Sequence, residues 1–90
     1  MTRAPTYTGQ FRRDLKLAKK RGKDMEKLRT AMTMLIDSAV LPPEYNDHPL
    51  RGEWKPSRDF HIEPDWILIY SADDETVLFE RTGTHADLFG

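Results

Sequence analysis

Cysteine is absent from this sequence, so no disulfide can staple the fold and no thiolate can hold zinc. Long apolar runs are missing too. None approaches the roughly 20 residues needed to cross a bilayer, and the opening from Met1 to Tyr7 carries no apolar signal-peptide stretch. The expectation is a cytoplasmic chain without membrane attachment. Length is also limited: 90 residues read as a single domain over 1–90. A domain of this size buries only about 60 to 65% of the surface its unfolded chain exposes, so its core has to be efficient. No internal repeat or low-complexity segment appears.

Net charge is nearly absent, at −1, but the two parts of the chain differ sharply. Residues 1–36 hold ten Lys/Arg against three Asp/Glu, and residues 37–90 hold four against twelve. A basic surface in the first part can meet a polyanion. Charge alone leaves a merely solvated basic face equally open.

The basic part is patterned as two helices. Phe11, Leu15 and Ala18 repeat at i, i+4 and i+7, one face of a helix over residues 10–21. Thr8 or Gly9 is placed to cap it and Gly22 to stop it. Leu17 lies off the stripe. Asp24 is an N-cap candidate for a second helix, whose stripe runs Met25, Leu28, Met32 and Leu35, widened by Ala31 and Ile36. Pro42-Pro43 forbids its continuation. A connection this short makes an αα-hairpin, with Arg13, Lys16, Lys19 and Lys20 among the residues on its outer faces.

The acidic part has strand periodicity. Thr6 to Thr8 is a β-prone opening before the helices, and residues 44–51 read as an irregular loop. Gly52 to Lys55 offers one further strand. Phe60 and Ile62 alternate with Asp59, His61 and Glu63, and Trp66 to Tyr70 is a continuous apolar run suited to a central strand buried on both faces. Val77 to Phe79 marks the last strand. Glu63-Pro64-Asp65 and residues 71–75 form the turns. The tail, residues 82–90, is too short for another substantial element. The order is β-α-α-β-β-β-β, an α+β sandwich with both helices on one sheet face.

Three histidines occur, His48, His61 and His85, each in a polar setting. His61 shares a strand face with Asp59, because residues two apart point the same way, and Glu63 joins them if the strand runs far enough. Asp65 begins the central strand across a tight turn from His61, and Arg81 ends the last strand. Imidazoles exchange protons near neutral pH. RNA cleavage by its own 2′-hydroxyl needs a base, an acid and a cation to steady the phosphorane, which is what histidines, an aspartate and Arg81 can supply. Exposed histidines are also commonplace, and their spacing here matches no standard metal-ligand motif. Trp54 and Trp66 are more often packing residues than stacking platforms. Trp66 and Phe89 are nonetheless the aromatic candidates to hold an RNA base, and Arg13, Lys16, Lys19 and Lys20 the candidates for phosphate contacts.

Several segments resemble one known family. His48-Pro-Leu-Arg-Gly-Glu-Trp-Lys resembles the segment leading into the sheet of RelE-superfamily toxins. Arg58-Asp-Phe-His-Ile-Glu-Pro-Asp-Trp-Ile-Leu-Ile-Tyr, the ending Phe79-Glu-Arg-Thr-Gly-Thr-His-Ala-Asp-Leu-Phe-Gly, and Tyr7 to Lys27 with its Lys16-Leu-Ala-Lys-Lys-Arg are similar to the YafQ branch. The resemblance covers essentially the whole chain. It implies a microbial-RNase, RelE-like fold, with a two-helix hairpin packed on a small twisted antiparallel sheet. It also implies a ribosome-dependent mRNA interferase that cuts the message in the ribosomal A site through the 2′-hydroxyl, with no metal or cofactor. A cognate antitoxin neutralises such toxins, and operator DNA is reached only through the toxin–antitoxin complex.

The family's catalytic histidines match His48, His61 and His85, and its acidic positions match Asp65 and Asp59. Its phosphate-contacting arginine matches Arg81 and its terminal aromatic matches Phe89. One departure is the charge, since these toxins are usually basic overall. His85 is the candidate acid, following what reads as a flexible Gly83-Thr84 step, and His48 or His61 is the candidate base. Asp65 and Asp59 orient histidines. Two rivals stand beside this reading. One is a non-catalytic toxin-like module that acts as antitoxin partner and operon co-repressor. The other is a small metal-dependent enzyme.

Overall fold

The computed structural model describes residues 2–52 and 56–90. Chain order is β1 (Ala4–Tyr7), α1 (Gly9–Lys20), α2 (Met25–Ile36), a 3-10 turn (Pro43–Tyr45), β2 (His48–Pro49), β3 (Arg58–Glu63), β4 (Trp66–Ala72), β5 (Thr76–Gly83) and α3 (His85–Phe89). The expected Gly52–Lys55 strand and Trp54 lie, Gly52 apart, outside the described residues. No helix among the described residues is long and apolar enough to cross a membrane.

Local chemistry sets the helix ends. The Thr8 hydroxyl accepts from the Phe11 N–H at 2.9 Å and donates to the Glu80 carbonyl at 2.7 Å, so one side chain starts α1 and ties it to β5. Gly22, at φ +79°, turns the chain out of α1 where a side chain would be strained. Asp24 accepts from the Glu26 N–H at 3.1 Å and caps α2.

The sheet runs β1-β5-β4-β3-β2. Its central ladder is antiparallel, but β1 pairs with β5 in parallel, so the wholly antiparallel expectation is corrected to a mixed sheet. The physical reason is connectivity. Short turns join β3 to β4 and β4 to β5, whereas nearly the whole chain separates β1 from β5 and no hairpin dictates their direction. The supposed loop over 44–51 is also more regular than expected, since it contains the 3-10 turn and β2, paired with Asp59 and Arg58.

One sheet face carries the main core. Phe11, Ala18, Leu28, Ala31 and Leu35 of the helices pack on Phe60, Ile62, Trp66, Leu68, Tyr70, Val77 and Phe79. Each large side chain buried there contributes about 1.5 to 3 kcal/mol. Leu17, off the stripe, is exposed. On the opposite face Ile67 and Ile69 are sealed by Leu88 of α3, with Leu50 beside them. That second, smaller cluster brings the tail helix onto the face that carries His61.

Candidate active site

Strand register assembles the site. His48 on β2 lies opposite Asp59 on β3, and His61, two residues on, lies opposite Ile67. Asp59 and His61 therefore share the face opposite the helices, as their alternation with Phe60 and Ile62 predicts. His85 arrives from α3. Thr84 caps that helix in a reciprocal box with Asp87, and Asp87 also takes Arg21, the C-cap of α1, at 2.6 Å. Gly83 belongs to β5, and a Cβ there would come within 2.9 Å of the Asp87 carboxylate. The Gly83-Thr84 step is thus a close-packed junction, not a flexible hinge, because the capping box needs Asp87 seated against it.

The three imidazoles form a row. Ring centroids are 5.9 Å apart between His48 and His61 and 5.8 Å between His61 and His85, and Phe89 follows 6.1 Å beyond His85. The side chains of His48 and His85 are 46% and 55% exposed, against 17% for His61. Two accessible rings thus flank a shielded one.

Each ring has a fixed partner. His85 Nδ1 lies 2.7 Å from Asp65 Oδ1, and its main-chain N–H donates to the same oxygen at 2.9 Å. A carboxylate oxygen only accepts, so Nδ1 carries the proton. These contacts, the main-chain one foremost, hold the Asp65 carboxyl below its ordinary range. His48 Nδ1 donates to the Asn46 carbonyl at 2.8 Å. Asp59 Oδ1 is also 2.9 Å from that nitrogen, yet it receives no hydrogen bond because the N–H is aimed at Asn46. The buried Asp59 therefore offers His48 a charge contact instead. His61 Nε2 faces Asp59 Oδ2 at 3.5 Å, too far and too poorly aligned for a hydrogen bond.

Other expected members stand elsewhere. Glu63 does not join the histidine face: the register shifts between His61 and Glu63, and Glu63 instead meets Lys27 at 3.0 Å and Lys23 at 3.8 Å beside α2. Trp66 is 1% exposed in the helix-side core, its indole donating to Thr82, so the expectation that it holds an RNA base is corrected. It follows Asp65 on the face opposite His61. Arg81 is paired with Asp14 of α1, Nε to Oδ2 at 2.9 Å and Nη2 to Oδ1 at 3.1 Å. Arg13, Lys16, Lys19 and Lys20 are exposed on α1, apart from the histidine row. Phe89 is 43% exposed.

Two residues escaped the sequence reading. Asp14 is buried and also bonds Gln10 and the Thr82 N–H. Its position three residues after Phe11, inside the apolar stripe, was the available signal. Asn46 touches two histidines, and only its setting in a turn-prone Asn-Asp-His-Pro run hinted at it. Among the described residues no group of three or more His, Asp or Glu is arranged to hold a metal ion.

A small mixed sheet with two helices on one face and a histidine–aspartate row on the other is the architecture of a microbial-RNase-like toxin. The family model for the bacterial toxin of type II toxin–antitoxin systems, YafQ, matches residues 3–90. The chain belongs to that family. It is 60% identical over 85 residues to the mRNA interferase toxin YafQ of Escherichia coli strain K12, covering 93% of this chain and 92% of that protein. The toxin in the crystal structure of the E. coli DinJ-YafQ toxin–antitoxin complex superposes with a TM-score of 0.92 at 57% identity, over 100% of both chains. A metal-bound toxin from Helicobacter pylori has the same fold, with a TM-score of 0.89 at 34% identity over 99% of this chain and 100% of that one.

Proposed function

We propose that this chain is an mRNA interferase, an endoribonuclease that cuts messenger RNA in the ribosomal A site and so stops translation. The observation that carries the reading is the row of three imidazoles, with Asp59 against His48 and His61, Asp65 against His85, and an exposed aromatic beyond it. His48 is the base. Its Nδ1–H is held by Asn46, which leaves the Nε2 lone pair to take the proton of the 2′-hydroxyl. As O2′ bonds to phosphorus, the P–O5′ bond breaks, and His85 Nε2, when protonated, delivers a proton to the departing O5′. The products are a 2′,3′-cyclic phosphate and a 5′-hydroxyl.

Asp65 orients His85 through the Nδ1 contact, and Asp59 lies against His48 Nδ1. Arg81 steadies the phosphorane. A guanidinium has five N–H donors, so it can contact phosphate without releasing Asp14. Phe89 stacks on a base at the cut. No cofactor takes part in this scheme.

The partners follow. A cognate antitoxin neutralises the chain, as the E. coli complex of YafQ with DinJ suggests, and operator DNA is reached only through that complex. Arg13, Lys16, Lys19 and Lys20 meet ribosomal RNA, and the protein works in the cytoplasm. The test is a message on programmed ribosomes carrying one 2′-deoxy nucleotide at the cut site, with protein stripped of metal beforehand. Cleavage of the all-ribose message and none of the deoxy one is expected. Activity that requires added metal points to a metal-dependent enzyme, and no cleavage of either message points to a non-catalytic antitoxin partner.

A further inference from the structure

Asn46 stands in a backbone conformation that few side chains tolerate and touches two histidines from it. Its φ of 46° and ψ of 44° lie in the left-handed region, where asparagine is several-fold enriched among non-glycine residues. It closes the 3-10 turn, its N–H donating to the Pro43 carbonyl at 3.0 Å. The next residue pins the loop to the sheet: Asp47 accepts from Arg58 Nε at 2.7 Å and from the Tyr70 hydroxyl. Burial and that contact push the Tyr70 hydroxyl above its ordinary range, so it stays a donor.

From this anchored position the two polar ends of Asn46 act on different rings. Its carbonyl oxygen takes the His48 Nδ1–H at 2.8 Å, and its side-chain Nδ2 lies 3.4 Å from His61 Nδ1. A carbonyl only accepts and an amide NH2 only donates. His48 therefore carries its proton on Nδ1, and His61 must present a bare Nδ1 with the proton on Nε2, toward Asp59.

We propose that Asn46 is a positioning residue that sets opposite tautomers in neighbouring histidines, leaving His48 Nε2 as the one bare ring nitrogen of the pair that faces substrate. Its catalytic consequence rests on the nuclease reading above; the tautomers themselves do not. His61 is thereby a spacer between the two proton-transferring rings. With the opposite tautomer His48 would offer an N–H where a lone pair is needed.

Two substitutions separate the two ends of Asn46. Asn46→Gly keeps the left-handed backbone and removes the amide. Asn46→Val removes the amide and disfavours the backbone conformation. The readouts are long-range 1H–15N correlations of the imidazoles, recorded without RNA above the histidine titration range, and kcat and KM on programmed ribosomes. In the parent protein His48 shows a protonated Nδ1, and His61 a bare Nδ1 with the nitrogen shift of a hydrogen-bond acceptor. Asn46→Gly moves the His61 Nδ1 resonance toward that of an unbonded nitrogen and leaves His48 unchanged. Asn46→Val also disturbs His48 and lowers kcat by roughly tenfold with KM unchanged, the pattern of an interaction realised in the transition state. A protonated His61 Nδ1 in the parent, or kcat preserved in Asn46→Val, overturns the proposal. A parent that shows the expected tautomers but cuts no message fails the nuclease reading alone.

Discussion

At the scale of single residues, the site depends on second partners that decide which nitrogen of each ring is available. Asp65 is the plainest case, since one oxygen receives both the ring and the main-chain N–H of His85. Asp65→Asn replaces a charged acceptor with a neutral amide. It is expected to lower kcat by about tenfold or more while leaving KM near its parent value, measured by single-turnover cleavage on ribosomes. Equal loss in kcat and in ribosome affinity would assign Asp65 to binding instead. The three histidines and Asp59 were legible in the sequence, because strict alternation with Phe60 and Ile62 fixes the sheet face of Asp59 and His61. Glu63 was not, since a bulge after His61 breaks that alternation. Trp66 is misleading for a related reason: the tight turn at Asp65 places the two residues on opposite sides of the sheet. Arg81 was legible as a cation, but its pairing with Asp14 joins residues 67 apart and leaves no local trace.

At the scale of elements, α3 decides whether the site exists. Its five residues carry His85 and Phe89, far fewer than an isolated helix needs in water. It is held by three things: the Thr84–Asp87 capping box, the Arg21–Asp87 ion pair and Leu88 on Ile67 and Ile69. Leu88→Ala is expected to cost about 2 to 5 kcal/mol, read by denaturant unfolding, and to broaden the His85 and Phe89 resonances first.

Acid acts on the same element. Arg21, and then the Thr84 N–H, hold the Asp87 carboxyl down to about 2, from an ordinary 3.8. A lowered folded-state value means that the ion pair and cap stabilise the fold above the unfolded value, and that this stabilisation disappears as pH falls through the folded one. Carbon-detected titration should therefore place the Asp87 midpoint near 2, and a midpoint at the ordinary carboxylate value would contradict the latch. Thr84-His-Ala-Asp87 carries a capping-box spacing, but residues 82–90 read as too short for another substantial element, so α3 was missed in the sequence. The parallel pairing of β1 was not legible either, because nothing local dictates how the first strand meets the last.

At the scale of the whole molecule, the charge asymmetry read from composition becomes a spatial division. The basic α1 surface lies on the helix side, and the histidine row lies on the other face of the sheet. The near-zero net charge is thus compatible with a polyanionic partner. Charge reversal at Lys16, Lys19 and Lys20 is expected to weaken ribosome binding, the slope of log affinity against log salt falling by roughly one for each phosphate that the variant no longer neutralises. Unchanged binding across a salt series would assign those lysines to solvent. The fold class was legible at this scale because two helical stripes and three strand faces admit one efficient burial.

The central claim is that the imidazole row cuts RNA, and His85 is the member whose removal tests it most directly. Parent and His85→Ala proteins, both checked for folding, are compared on a message bound to programmed ribosomes. The account predicts site-specific cuts by the parent and a loss of about 100-fold or more in the variant. Cleavage by His85→Ala at the parent rate would contradict it.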